Sequence, residues 1–189
     1  MIAIFGGSFN PPTIAHYEVA KHMLKMPFIS KLLFVPVGDH YEKAGLVPAF
    51  HRAQMLEILA KKLPGASVSN VEIEAKRARK TIETLERLQA DHPNELLAFV
   101  MGADNLYDLL NWYDYKRLVQ NFKFLIVNRH ELDVRGFIEE NFAGEIENFI
   151  FVDDFVGRDI SSSKYRASID HSEVLLPEVE AYIKKSNLY

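Results

Sequence analysis

Cysteine is absent from the 189 residues. That excludes a disulfide framework, a thiolate metal site and a cysteine nucleophile. Long apolar runs are also missing: no stretch approaches the roughly 18 residues that suggest a membrane span. The leading run, Met1 to Phe5, has no basic start and is too short for a secretory signal, so a cytoplasmic location is expected. Nor is there an excess of positive charge. A net charge of -4 argues against a protein whose main work is neutralising a nucleic-acid backbone, although it leaves room for a local pocket for a small phosphorylated ligand. Internal repeats, low-complexity tracts and obvious linkers are lacking, and His40 with His51 has no zinc-like spacing. A hydrophobic content of 48% and a charged content of 25% leave an ordinary globular chain, expected to form one domain over residues 1–189.

What is present is alternation. Apolar strand candidates recur at Ile2–Phe5, Lys31–Val37, Ser67–Val71, Leu96–Met101, Phe122–Val127 and Phe149–Val152. Several are near-continuous, as in Phe124-Leu125-Ile126-Val127, which suits strands buried on both faces. Helical patterns lie between them at Ile14–Met26, Ala49–Leu63, Thr81–Asp91 and Leu106–Val119, with a closing helix over Pro177–Lys185. Gly38–Pro48 reads as a loop at the sheet edge, and Asn128–Glu145 carries the weakest pattern. The order predicts a doubly wound α/β domain with a parallel sheet and helices on both faces.

Two segments carry chemistry. The first, Gly6-Gly7-Ser8-Phe9-Asn10-Pro11-Pro12-Thr13-Ile14-Ala15-His16, joins the first strand to the first helix. A strand, a glycine-rich turn and a helix start present backbone N–H groups and a positive dipole end to a phosphate. The spacing is not that of a dinucleotide fingerprint or a P-loop. Thr13 suits an N-cap position, and His16 follows three residues later. On its own the glycine pair reads equally as a tight turn. The second segment, Ile160-Ser161-Ser162-Ser163-Lys164-Tyr165-Arg166, places a serine cluster at a helix start, with Arg166 on the same face as Ser162 and Ser163. Alone it reads equally as a serine-capped surface helix. Asp104, in Gly102-Ala103-Asp104, stands at a strand end, where it could accept from a ribose hydroxyl or cap the next helix. Trp112 is the one tryptophan of the chain.

These strings resemble the (His/Thr)-x-Gly-His nucleotidyltransferase superfamily, and within it the nicotinate/nicotinamide mononucleotide adenylyltransferases. Thr13 stands where many bacterial members have His, and Ala15 where most have Gly. The resemblance implies a Rossmann-like fold and transfer of AMP from ATP to a pyridine mononucleotide, with release of pyrophosphate. It implies catalytic roles for Thr13 and His16, with His16 most useful when protonated. It further implies that Gly6, Gly7, Ser8, Phe9, Gly102, Asp104, Ile160, Ser161, Ser162 and Arg166 bind ATP. Asn10, Lys43, Arg52, Thr81, Trp112 and Arg129 would bind the mononucleotide, the tryptophan by stacking on the pyridine ring. Arg79-Lys80 replaces the Ser-Tyr usual before the mononucleotide-contacting Thr81 segment. No protein metal site is implied, Mg²⁺ being carried by the ATP phosphates. Partners would be ATP and the mononucleotide, with no nucleic acid and no membrane, and a homo-oligomer is compatible with the chain.

Three matters stay open. The acceptor could be nicotinate or nicotinamide mononucleotide, with nicotinate favoured. Another phosphorylated acceptor would make the chain a different adenylyl- or cytidylyltransferase. A regulator that binds nucleotide without catalysis is the remaining alternative.

Overall fold

The structure is a computed structural model describing residues 1–128, 132–153, 155, 160–167 and 173–189. Six strands form one parallel sheet: β1 (Ile2–Gly7), β2 (Lys31–Pro36), β3 (Ala66–Val68), β4 (Leu97–Gly102), β5 (Lys123–Val127) and β6 (Phe149–Val152). Their spatial order is β3-β2-β1-β4-β5-β6. The helices are α1 (Ile14–Met23), α2 (Ala49–Ala60), α3 (Thr81–Asp91), α4 (Ala103–Leu106), α5 (Tyr115–Asn121), α6 (Val134–Asn141), α7 (Ser162–Ala167) and α8 (Pro177–Ser186).

The continuous apolar runs have a simple cause. Side chains alternate across a strand, and here each face has its own core. Ala3, Phe5, Leu32, Phe34, Leu125 and Val127 pack on one side, with Val19 and Met23 of α1, Leu56 and Leu59 of α2 and Val179 of α8. Ile2, Ile4, Leu33, Val35, Phe124 and Ile126 pack on the other, with Ile82 and Leu85 of α3, Leu118 of α5 and Ile138 of α6. The central strands β1, β2, β4 and β5 are therefore buried on both faces over most of their length, which is the doubly wound α/β arrangement predicted from the sequence.

Most boundaries shift by one to three residues, and two of the differences have a local cause. The third strand covers Ala66–Val68 rather than Ser67–Val71, because Val71–Glu74 turns away from the sheet. The helix predicted over Leu106–Val119 is broken into α4, a 3-10 turn at Leu109–Asn111 and α5. Asp114 causes the second break: its φ of 51° is left-handed, which no continuous α-helix accommodates.

Candidate active site

Strand order reverses between β1 and β4, and in open α/β sheets ligands bind beyond the carboxyl ends at such a point. Register shows how the crevice opens. β1 stays paired with β2 out to Gly7 and Pro36, and β4 with β5 out to Gly102 and Val127. β1 and β4 pair only through Ile2–Ile4 and Leu97–Phe99. Beyond that they part, and a cavity of about 810 Å³ lies over the gap.

Gly6 and Gly7 belong to the strand end, not to the turn, and neither has positive φ. Their smallness matters for another reason. A Cβ on Gly6 would lie 3.0 Å from the Phe99 ring, and one on Gly7 would lie 3.3 Å from the Phe9 ring. The left-handed residue of the turn is Phe9, with φ 45°. Burial holds it there: the Phe9 ring packs edge-on against Phe5 at 5.6 Å and Phe34 at 5.9 Å. Its other neighbour is the His16 imidazole, at 5.1 Å.

Thr13 is fully buried at the N-cap of α1. Its backbone N–H donates to His16 Nδ1 at 2.9 Å, and its hydroxyl lies 2.8 Å from the same nitrogen. An Nδ1 that accepts from an amide carries no proton, so the ring proton sits on Nε2. The doubly protonated His16 that the resemblance implies would require this bond to break, since an Nδ1 proton would face the Thr13 N–H. The imidazole lines the cavity, and Thr13 lies behind it.

The second segment meets the first. Ser162 Oγ donates to Pro11 O at 2.7 Å across 151 residues of chain, and Arg166 Nη1 donates to Asn10 O. Ile160 and Ser161 reach the cavity wall, whereas Ser162 and Arg166 hold α7 against the turn. Of the other expected residues, Gly6, Gly7, Ser8, Phe9, Thr81, Gly102, Asp104 and Trp112 also line the cavity. Trp112 stands edge-on to Phe99 at 6.1 Å. Lys43 is exposed, its Nζ donating to Ser8 Oγ at 3.1 Å.

Two residues expected to contact the mononucleotide do something else. Arg52 is fully buried, and its Nε, Nη1 and Nη2 donate to the carbonyls of Val47, Ser8 and Val37 at 2.7, 3.0 and 2.7 Å. Burial pushes its pKa down, partly countered by Asp39 at 3.8 Å. Asn10 is likewise fully buried: Nδ2 donates to Gly45 O, while Oδ1 accepts from Val47 N and from the Tyr189 hydroxyl. Their donors and acceptors are consumed in joining loops, so both are corrected to supports of the site wall. Arg129 lies outside the described residues.

The sequence reading missed Glu72, Arg79 and Thr84, which form another part of the cavity wall. Glu72 sits in an irregular stretch with no periodic pattern, and burial pushes its carboxyl above the usual carboxylate range against the opposing Thr84 hydrogen bond. Arg79 was visible only as a departure from a resembled motif. Among the described residues, no three His, Asp or Glu side chains are grouped to hold a metal ion, and no helix is long and apolar enough to cross a membrane.

A family model described as cytidylyltransferase-like matches residues 4–168. The whole chain is 33% identical to a protein named "Probable nicotinate-nucleotide adenylyltransferase" from Acholeplasma laidlawii, covering 97% of it. It is 31% identical to the protein of the same name from Carboxydothermus hydrogenoformans, again over the whole chain and 97% of the relative. In three dimensions it resembles the Plasmodium falciparum nicotinic acid mononucleotide adenylyltransferase complexed with APC. The TM-score is 0.82 at 25% identity, covering 100% of this chain and 96% of that one.

Proposed function

Because the chain belongs to the cytidylyltransferase-like family, and within it to the nicotinate-nucleotide adenylyltransferases, we propose that its cavity transfers AMP from ATP to nicotinate mononucleotide in NAD biosynthesis. The observation that carries this reading is the meeting of the two phosphate-suited segments at the open end of β1, through Ser162 to Pro11 and Arg166 to Asn10.

In the reaction, an oxygen of the mononucleotide 5′-phosphate forms a bond to the α-phosphorus of ATP. The bond from that phosphorus to the bridging oxygen breaks, and pyrophosphate leaves with the electron pair. A phosphate monoester has a second pKa of about 6, so the nucleophile is ionised at neutral pH and needs no general base. The protein's task is alignment of two polyanions and stabilisation of the charge that builds up on the leaving group. His16, with its proton on Nε2, would donate to a phosphate oxygen while the Thr13 amide holds the ring. The N–H groups after β1 and the Ser161 hydroxyl add donors. Ser162 and Arg166 keep that wall in place, and Lys43 beside Ser8 offers a cation at the rim. Trp112 offers a flat face for the pyridine ring.

ATP would enter as its Mg²⁺ complex. The hydroxyls, amides and imidazole proton of the two segments suit its phosphate oxygens, and the metal would arrive on the nucleotide. A cytoplasmic location goes with this reading.

The test is pyrophosphate release by purified protein supplied with Mg·ATP and each candidate acceptor. Nicotinate mononucleotide should turn over and yield the dinucleotide. Nucleotide binding without pyrophosphate release from any acceptor would reject the reading in favour of a regulator.

A further inference from the structure

The turn ahead of His16 is gripped from behind. Neither Asn10 nor Tyr189 is among the described residues that line the cavity, yet remote segments converge on Asn10. Its carbonyl accepts from Arg166 of α7, and its Nδ2 donates to Gly45 O at 2.8 Å. Its Oδ1 accepts from Val47 N at 3.1 Å and from the Tyr189 hydroxyl at 2.7 Å. Gly45 and Val47 belong to one loop, so their two bonds let the side chain move with that loop. Tyr189 adds a hold from a second direction, carried by α8, whose Val179 and Ile183 lie in the core.

The end of α8 delivers the phenol. Asn187 is left-handed, with φ 50°, a conformation that asparagine tolerates, and Leu188 N donates back to Ile183 O at 3.2 Å. This closes the helix and turns the chain towards α7, where the Tyr189 ring stands edge-on to the buried Tyr165 at 5.8 Å. Burial pushes the Tyr189 pKa above its ordinary value, against the pull of Arg52 and Arg166, so the hydroxyl keeps its proton and donates it.

Asn10 stands three residues before Thr13, whose amide holds His16 Nδ1 at 2.9 Å. A displaced turn therefore carries the imidazole with it, and misplacing a reacting geometry by about 1 Å can cost on the order of 10²-fold in rate. Given the adenylyl transfer on which this step rests, we propose that Tyr189 is a positioning residue for the reaction. Its hydroxyl fixes Asn10, and through the turn it fixes the aim of His16.

The test is steady-state pyrophosphate release with Mg·ATP and nicotinate mononucleotide by wild type, Tyr189→Phe, His16→Ala and the double variant. Tyr189→Phe keeps its ring against Tyr165 and should fold, as circular dichroism will show. Its kcat should fall roughly three- to tenfold, the usual worth of one hydrogen bond, while KM for both substrates stays within about twofold of wild type. The double variant should be no slower than His16→Ala, because a hydroxyl that acts by aiming the imidazole then has nothing to aim. Tyr189→Phe as fast as wild type would overturn the inference. So would a kcat loss repeated in full on the His16→Ala background, or a larger rise in KM for either substrate. A wild type that releases no pyrophosphate removes the underlying reading and this inference together, whereas an active wild type with an indifferent Tyr189→Phe removes this inference alone.

Discussion

At His16 the chemistry rests on one nitrogen. The Thr13 amide occupies Nδ1, so a neutral ring keeps its remaining proton on Nε2 as a donor. Removing one preorganised donor from a developing charge typically costs on the order of 10²–10³ in turnover. His16→Ala is therefore expected to lose about that much in kcat while melting near the wild-type temperature, as read by pyrophosphate release and circular dichroism. A second residue-scale prediction concerns Glu83 of α3, which accepts from both Nη atoms of Arg77 and from the Lys80 amide. The Arg77 hydrogen bonds, first, and then the Lys80 bond hold its carboxyl down from 4.5 to about 2. A depressed carboxylate adds stability that is present above its unfolded pKa and is lost as pH falls through the folded one. The stability difference between wild type and Glu83→Gln should thus be steady at neutral pH and shrink from about pH 4.5 towards 2, followed by urea denaturation at stepped pH. The pair is exposed, so the whole effect is small.

At the scale of elements, the site wall is a set of loops tied by a few buried polar side chains. Arg52 enters from α2 and binds the turn at Ser8, the residue after β2 at Val37, and the following loop at Val47. Truncating it strands three carbonyls in a dry place. Arg52→Met should cost about 3 kcal/mol or more by urea denaturation, in the range seen when one side of a buried charged network is removed. Asn10 does the same work from the turn, and the Tyr189 hydroxyl reaches it at 2.7 Å, joining the segment after α8 to the site. Tyr189→Phe removes one bond and leaves Asn10 Oδ1 still served by Val47 N. A loss of about 1 kcal/mol is expected in the same measurement. Arg52 and Asn10 look in the sequence like ligand contacts, because a charged or amide side chain next to a phosphate motif has two uses. Nothing local distinguishes them. The carbonyls that claim Arg52 come from positions 8, 37 and 47, which only the folded chain brings together.

For the whole molecule, the decisive feature is that β1 and β4 pair for three residues and then separate. Each remains anchored to its outer neighbour, so the cleft has two firm walls rather than one loose edge. A substrate pair bridging the gap must touch both. Amide hydrogen exchange with Mg·ATP and nicotinate mononucleotide should therefore slow at residues 6–9 and at 102–105 together. Protection confined to one wall would show that the cleft is not where the two substrates meet.

Much was legible because burial on both faces leaves an unmistakable mark. Phe124-Leu125-Ile126-Val127 is continuous since alternate residues feed different cores, and that alone predicts a parallel sheet between helices. The strand–turn–helix at Gly6–His16 and the serine segment at Ile160–Arg166 were likewise readable, as each consists of neighbours in sequence. By itself, then, the sequence determined the layering of the fold and the two phosphate-suited segments. Only the tertiary structure decided that these segments touch, that β1 and β4 part at Ile4 and Phe99, and that Arg52 serves the wall while Arg79 faces the cavity. Those outcomes depend on which distant backbone carbonyls and cavity atoms surround a polar group, and residue type and spacing carry no record of them.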